Sequence, residues 1–325
     1  MSTYKQIYGQ NIEILSSDPS NPTLGQIWYN TSTDELKGFR AVANSVWSTG
    51  DNMLNNGAQN GGSAGTATAA LAFGGNNPAN SPPYSNYTQE YNGSTWTAAG
   101  TMNTARTGLG GFGVQTAALG AGGYSSPPFQ YRLDTELYNG SSWTTSPGSL
   151  PDNKNTAMVF GTQTAGVLSG GSGTPTSKET TLNWNGSAWT ANPTSLNTPR
   201  TNGSACGIQT AGLVFAGTSA PDYSNSAEKF NGSTFSNTGT MGTARYSLGG
   251  FGTQTSALAA GGGFPADGKT EQFNGSTWSA KGAMGTARYS LRGSGNTTNG
   301  LAFGGTQGFR AATEEWNPEE AIAIF

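Results

Sequence analysis

A short string closes each copy of a unit that recurs along most of the chain. It reads NGSTW at 92–96, NGSSW at 139–143, NGSAW at 185–189, NGSTF at 231–235 and NGSTW at 274–278, in steps of 43 to 47 residues. An alternating segment leads into each string: TQEYN (88–92), TELYN (135–139), TLNWN (181–185), AEKFN (227–231) and TEQFN (270–274), with a sixth copy, TEEWN, at 313–317. Upstream lies an apolar segment that usually ends in Gly-Gly, from LAFGG at 71–75 to LAFGG at 301–305. Earlier again is a Gly-rich segment, opened by Arg106, Arg200, Arg245 or Arg288 in four copies and by Lys154 in a fifth. The first copy, NGGSAGTAT (60–68), is degenerate.

Each unit therefore reads as four short strands, and strands repeated at this period predict a propeller. Asn-Gly between the third and fourth strands predicts a two-residue hairpin turn with φ > 0 at both positions. Glycines in the first strand suit the crowded centre, where backbones approach closely. The closing aromatic suits the widening space between blades. The expected fold is all-β: a six-bladed β-propeller over 51–325, preceded by an N-terminal β-hairpin arm over 1–50. The sixth unit ends EEWNPEEAIAIF, with Pro318 where the turn glycine should stand. Its outer strand is expected from NSVW (44–47), with Trp47 in the place of Trp278, rather than from AIAIF (321–325). Joining the chain ends in this way removes an exposed sheet edge.

Gly-Gly closing the second strand, an aromatic in the third, Trp in the fourth and the opening M-x-T-A-R at 102–106, 241–245 and 284–288 resemble a kelch-type β-propeller. That motif is specific for fold and says little about role. The segment DPSNPTLGQIWYNTSTDELKGF (18–39) resembles a short module, P-x-x-G-x-I-W-Y-N…L-K-G, of bacteriophage tail-fibre and other virion proteins. This second resemblance implies a virion structural protein, tail- or capsid-associated.

Composition excludes several chemistries. The 325 residues include 15 Lys and Arg, 18 Asp and Glu, no His and one Cys. Without His there is no Ser-His-Asp triad, no His-held metal and no His pH switch. Cys206 aligns with Phe112 and Phe251 and reads as a small buried hydrophobe rather than a nucleophile. A net charge of −3 argues against a nucleic-acid partner. No apolar run reaches the length of a membrane span, and the opening MSTYKQIYGQ has no secretory signal pattern. The recurring arginines, and Glu136, Glu228, Glu271 and Glu314 on the third strands, read as structural hydrogen bonds to a neighbouring blade. No first-strand position breaks the repeat as a catalytic residue should, and Asp134/Glu136 and Glu314/Glu315 do not form a spaced acid pair. The chain is expected to be non-enzymatic, with no metal and no cofactor.

Recognition is expected where the repeat varies. The loops between second and third strands differ in every unit, and a constant scaffold with variable loops on one face marks a binding face. Tyr84, Tyr87, Tyr124, Phe129, Tyr131, Tyr223, Phe264 and Phe309 supply flat contact surfaces there, suited to a host-surface glycan or protein. Residues 1–17 carry Tyr4, Ile7, Tyr8, Ile12, Ile14 and Leu15, too little to fold alone, and are expected to attach the propeller to other virion subunits. The expectation is a virion-located adhesion or decoration module. Its rivals are an intracellular protein-interaction propeller and a polysaccharide-acting propeller enzyme.

Overall fold

A computed structural model describes residues 12–23, 25–54, 59–77, 83–173, 178–219, 221–263, 265–306 and 311–324, without the side chains of 40–45 and 318–324. Among them every regular element is a β-strand. They fall into two compact units, one spanning Trp47–Trp316 and the other made from the residues before and after it.

The larger unit is a β-propeller of four-stranded antiparallel sheets. The first sheet is Gly62–Gly65, Ala70–Phe73, Thr88–Tyr91 and Trp96–Ala99, paired in chain order from the inside outward. Four more sheets repeat this order between Gly110 and Lys281. In the last sheet Arg292–Gly295 and Gly300–Phe303 lie beside the strand Thr313–Ile324, which is flanked by the strand Glu35–Thr49. Each innermost strand contacts the innermost strand of the next sheet, and Arg292–Gly295 contacts Gly62–Gly65 to close the circuit. Glycine at this centre is a packing requirement: a Cβ on Gly111 would lie 2.8 Å from the backbone N of Ser63.

The closing aromatics lock the sheets together. Trp143, Trp189 and Trp96 each donate an indole N–H to the Thr that opens the third strand of the preceding sheet: Thr88 at 2.8 Å, Thr135 at 2.8 Å and Thr313 at 2.9 Å. Trp47 makes the same bond to Thr270 at 2.8 Å, is half-buried, and packs at 5.3 Å against Trp316 with the rings tilted by 54°. It therefore occupies the place expected of it in the last sheet. The propeller begins at Trp47 rather than at residue 51 because Ser48 and Gly50 also bond the backbone of Glu315 and Thr313. The chain does not turn back after Pro318; residues 321–324 continue the strand Thr313–Ile324.

Two junctions lack this bond. At one, Phe235 stands in the tryptophan's place. At the other, Ala227 instead of Thr stands opposite Trp278, and the buried indole N–H of Trp278 has no partner among the described residues. Ala227→Thr is expected to supply it and to raise stability by about 1 kcal/mol, read as a higher midpoint in denaturant unfolding.

Two further details depart from the sequence reading. The Asn-Gly turns are four-residue loops, with Tyr91 paired to Trp96 across Asn92–Thr95. Only the Gly has positive φ (94° at Gly93). The Asn instead turns its side chain inward: Asn92 Oδ1 accepts the N–H groups of Ser94 (3.0 Å) and Thr95 (2.8 Å). Asn is therefore selected as a side-chain acceptor rather than for left-handed backbone. The recurring Arg and Glu do not reach to a neighbouring blade; they pair with each other inside one sheet. Arg106–Glu136 (2.7 Å), Arg245–Glu271 (3.0 Å), Arg288–Glu314 (3.2 Å) and Arg200–Glu228 are all buried ion pairs. Each Glu also accepts the backbone N–H that follows the buried Met or Leu of the opening, as from Asn103 at 2.7 Å. The link between sheets runs through the arginine backbone, whose carbonyl takes the N–H of the second residue of each Gly-Gly or Ala-Gly pair (Gly75, Gly171, Gly217 and Gly262) at 2.8 to 3.0 Å.

In the smaller unit Glu13–Leu15 pairs parallel with Ile27–Asn30, which pairs antiparallel with the start of Glu35–Thr49. Asp18 is its hub. It accepts from Trp28 Nε1 (3.1 Å) and Asn30 Nδ2 (2.7 Å) and pairs with Lys37 (3.1 Å). These bonds, that from Asn30 foremost, hold the Asp18 carboxyl below its ordinary pKa. The expected division at 17/18 does not hold, because residues 13–15 are a strand of the hairpin's own sheet. Ile14 is exposed there and Ile12 and Leu15 are half-buried, whereas Tyr4, Ile7 and Tyr8 lie outside the described residues.

Candidate functional site

Two positions before each innermost strand begins, the backbone is left-handed: Asn60 (φ 54°), Gly108 (68°), Thr156 (53°), Asn202 (55°), Ser247 (53°) and Ser290 (58°). Five of the six are not glycine, and such conformations persist only where the surroundings enforce them. The enforcing element is a closed ring of backbone hydrogen bonds. The N–H of each residue donates to the carbonyl of its predecessor in the circuit, from Gly108 to Asn60 (2.8 Å), round to Asn60 to Ser290 (3.1 Å). This ring frames the mouth of the central channel.

Below the ring is a cavity of about 70 Å³, lined chiefly by Asn60, Ser63, Thr156, Asn202, Ser204 and Ser247 together with glycines and apolar groups of the inner strands. Among the described residues Arg292 is its one charged lining residue. Above the ring the chain folds back on itself. Thr107 bridges Tyr124, Thr201 bridges Thr218, and Asn155 pairs with Ser172. The rim is thus built from hydroxyls, amides and phenols.

The variable loops rise from this rim. Tyr124–Ser125 and Gln130–Tyr131 form a small hairpin. Tyr84 meets Tyr124 edge-on at 5.3 Å, Tyr124 lies 5.3 Å from Phe129, and Phe129 lies 5.3 Å from Tyr131. Four of the expected residues therefore form one continuous aromatic wall between the first and second sheets, with Phe129 60% exposed. Burial, and next the neighbouring Tyr84, hold the Tyr124 phenol above its ordinary pKa. Tyr223 stands apart on the far side, stacked at 4.5 Å on Tyr246. Tyr87 is exposed and, among the described residues, makes no ring contact. Phe264 and Phe309 lie outside the described residues.

Sequence reading missed two groups here. Tyr246 belongs to the repeated A-R-Y opening and so looks structural. Arg292 stands where the other sheets carry Gly62, Gly110, Met158, Ser204 and Gly249, so a first-strand position does break the repeat. Cys206 is a different case: its thiol is buried, donates to the Thr253 carbonyl at 3.4 Å, and is pushed up to about 12 by burial, leaving negligible thiolate.

No family model matches the chain, and no curated protein matches it. Among solved structures it is similar to that of YjhT, with a TM-score of 0.68 and 12% identity over 84% of this chain and 99% of that one. At that identity the likeness is one of fold, and with the closed circuit of four-stranded sheets it identifies this chain as a β-propeller.

Proposed function

We propose that this chain is a non-enzymatic binding module: a six-bladed propeller, displayed on a bacteriophage virion, whose channel-mouth face takes a host-surface glycan. The observation that carries the reading is the aromatic wall of Tyr84, Tyr124, Phe129 and Tyr131 beside a rim of Asn, Ser and Thr. Sugar rings present apolar C–H faces and many hydroxyls. Aromatic faces cover the first, and neutral amides and hydroxyls match the second without desolvating charge. The virion setting is supported by the resemblance of residues 18–39 to phage modules. The signature residues Trp28, Asn30 and Lys37 converge on Asp18, which gives those letters of the module a local structural reason.

The test is a glycan array run beside a hydrolysis assay on the same saccharides. Retention of intact glycan supports the reading, and release of shortened saccharide overturns its non-enzymatic part. Mass spectrometry of purified particles checks the virion setting: the chain should be a stoichiometric component.

A further inference from the structure

We infer that the cavity below the ring is an anion seat, built on Arg292 and taking one carboxylate or phosphate group of a small ligand. The inference concerns the channel rather than the aromatic wall and does not rest on the glycan reading.

It starts from an exception. Arg106, Arg200, Arg245 and Arg288 are each matched by a buried glutamate. Among the described residues Arg292 has no carboxylate within ion-pair distance. Its Nε donates to the Gly61 carbonyl and its Nη1 to the Leu291 carbonyl at 3.3 Å, while Nη2 has no partner among the described residues. Carbonyls satisfy N–H groups but leave the charge uncompensated, and an uncompensated cation in a confined site is costly. Burial alone pushes its pKa down to about 10, with no acid opposing the shift.

The surroundings complete a seat for a negative group. The guanidinium fork matches the paired oxygens of a carboxylate or phosphate. Asn60, Ser63, Asn202, Ser204 and Ser247 line the same space; the Ser63 hydroxyl and Asn202 amide are already bonded to Gly293 and Thr201, which leaves the Ser204 and Ser247 hydroxyls and the Asn60 amide as the further donor types. A cavity of about 70 Å³ holds one such group and not an extended chain. The five corresponding positions are uncharged, so Arg292 is not a property of the repeat.

The competing account is a staple. Through Nε, Arg292 ties the last sheet to the first, where the chain ends meet, and this alone would justify a single arginine. Thermal unfolding and calorimetric titration of the full chain separate the two. At fixed ionic strength, acetate, inorganic phosphate and D-glucuronate are added in turn, with D-glucose as the neutral control. A saturable rise in Tm with the anions but not with glucose is expected, and the larger of the acetate and phosphate responses identifies the source of the group. Arg292→Gln should remove the response. If that variant does not fold, Arg292→Lys keeps the charge without the fork and should weaken anion binding at least tenfold. Replacing the aromatic wall by alanine should leave the anion response in place. No anion response in the parent protein, or an equal response in the Arg292 variants, overturns the seat and leaves the staple.

Discussion

Glu136→Leu is expected to destabilise the propeller by about 3–5 kcal/mol, the usual cost of leaving one partner of a buried ion pair behind. Arg106 would then sit fully buried, bonded to the Gly122 and Asp134 carbonyls but with no counter-charge. Glu136 also anchors the Asn103 N–H, so its loss frees the loop that enters the second sheet. The double variant Arg106→Met, Glu136→Leu should recover most of the loss, since two apolar groups of similar volume replace a pair whose desolvation had to be offset. The chain itself supports that expectation. In the third sheet the two positions carry Lys154 and Leu182, so arginine and glutamate are exchanged together. There Lys154 bonds Thr180 and faces Asp152 at 4.0 Å, and burial pushes its ammonium down to about 8 against the opposing pull of that acid. Denaturant midpoints of the parent, both singles and the double give the coupling directly. A single-variant loss below about 1 kcal/mol would mean that the pair contributes little.

Trp143→Ala should cost about 3–5 kcal/mol. The ring is 5% exposed, lies 4.7 Å from Phe73 of the preceding sheet and 5.1 Å from Tyr138 of its own, and donates to Thr88. Its removal opens a void between two sheets that the ring closure prevents from collapsing. Trp143→Phe should cost only about 1–2 kcal/mol, for the lost hydrogen bond and part of the packing. The fourth sheet already has this arrangement: Phe235 stands in the tryptophan's place, and the facing Thr181 bonds Ser169 instead at 2.9 Å. Equal losses for the Ala and Phe variants in chemical unfolding would show that the hydrogen bond, and not the packing, joins the sheets.

Much of the propeller is legible in the sequence because each strand is spelled several times. A single LAFGG or TELYN is ambiguous, but their common order and period leave one architecture. Trp47 is legible for a related reason: five closing aromatics for six third strands leave one place empty. What stays hidden is which recurring residues meet. Arg106 and Glu136 recur in step, but periodicity does not say whether they bond within a sheet or between sheets. The GxQT turn shows the same limit. Gln115 reaches back to the carbonyls of Ala70 and Tyr91, and Gln163, Gln209 and Gln254 make the equivalent clamps, yet a surface turn gives no sign of this. The Asn-Gly turns mislead because the dipeptide rule weighs backbone conformation, while here the Asn side chain is the functional part. Arg292 is visible as a letter, but its lack of an acid partner is a fact of three dimensions. The aromatic wall was nameable residue by residue, although the sequence could not tell Tyr87, which stands alone, from Tyr84, which does not.

The central claim is that the channel-mouth face binds through its aromatic wall. Its most direct test is affinity for the best glycan from the array, measured by calorimetry for the parent and for a variant with Tyr84, Tyr87, Tyr124, Phe129 and Tyr131 all replaced by Ala, with unfolding curves checked to show that the propeller persists. Each stacked ring lost should remove about 1 kcal/mol, so the account predicts a fall in affinity of at least a hundredfold. Unchanged affinity in a folded variant would contradict it.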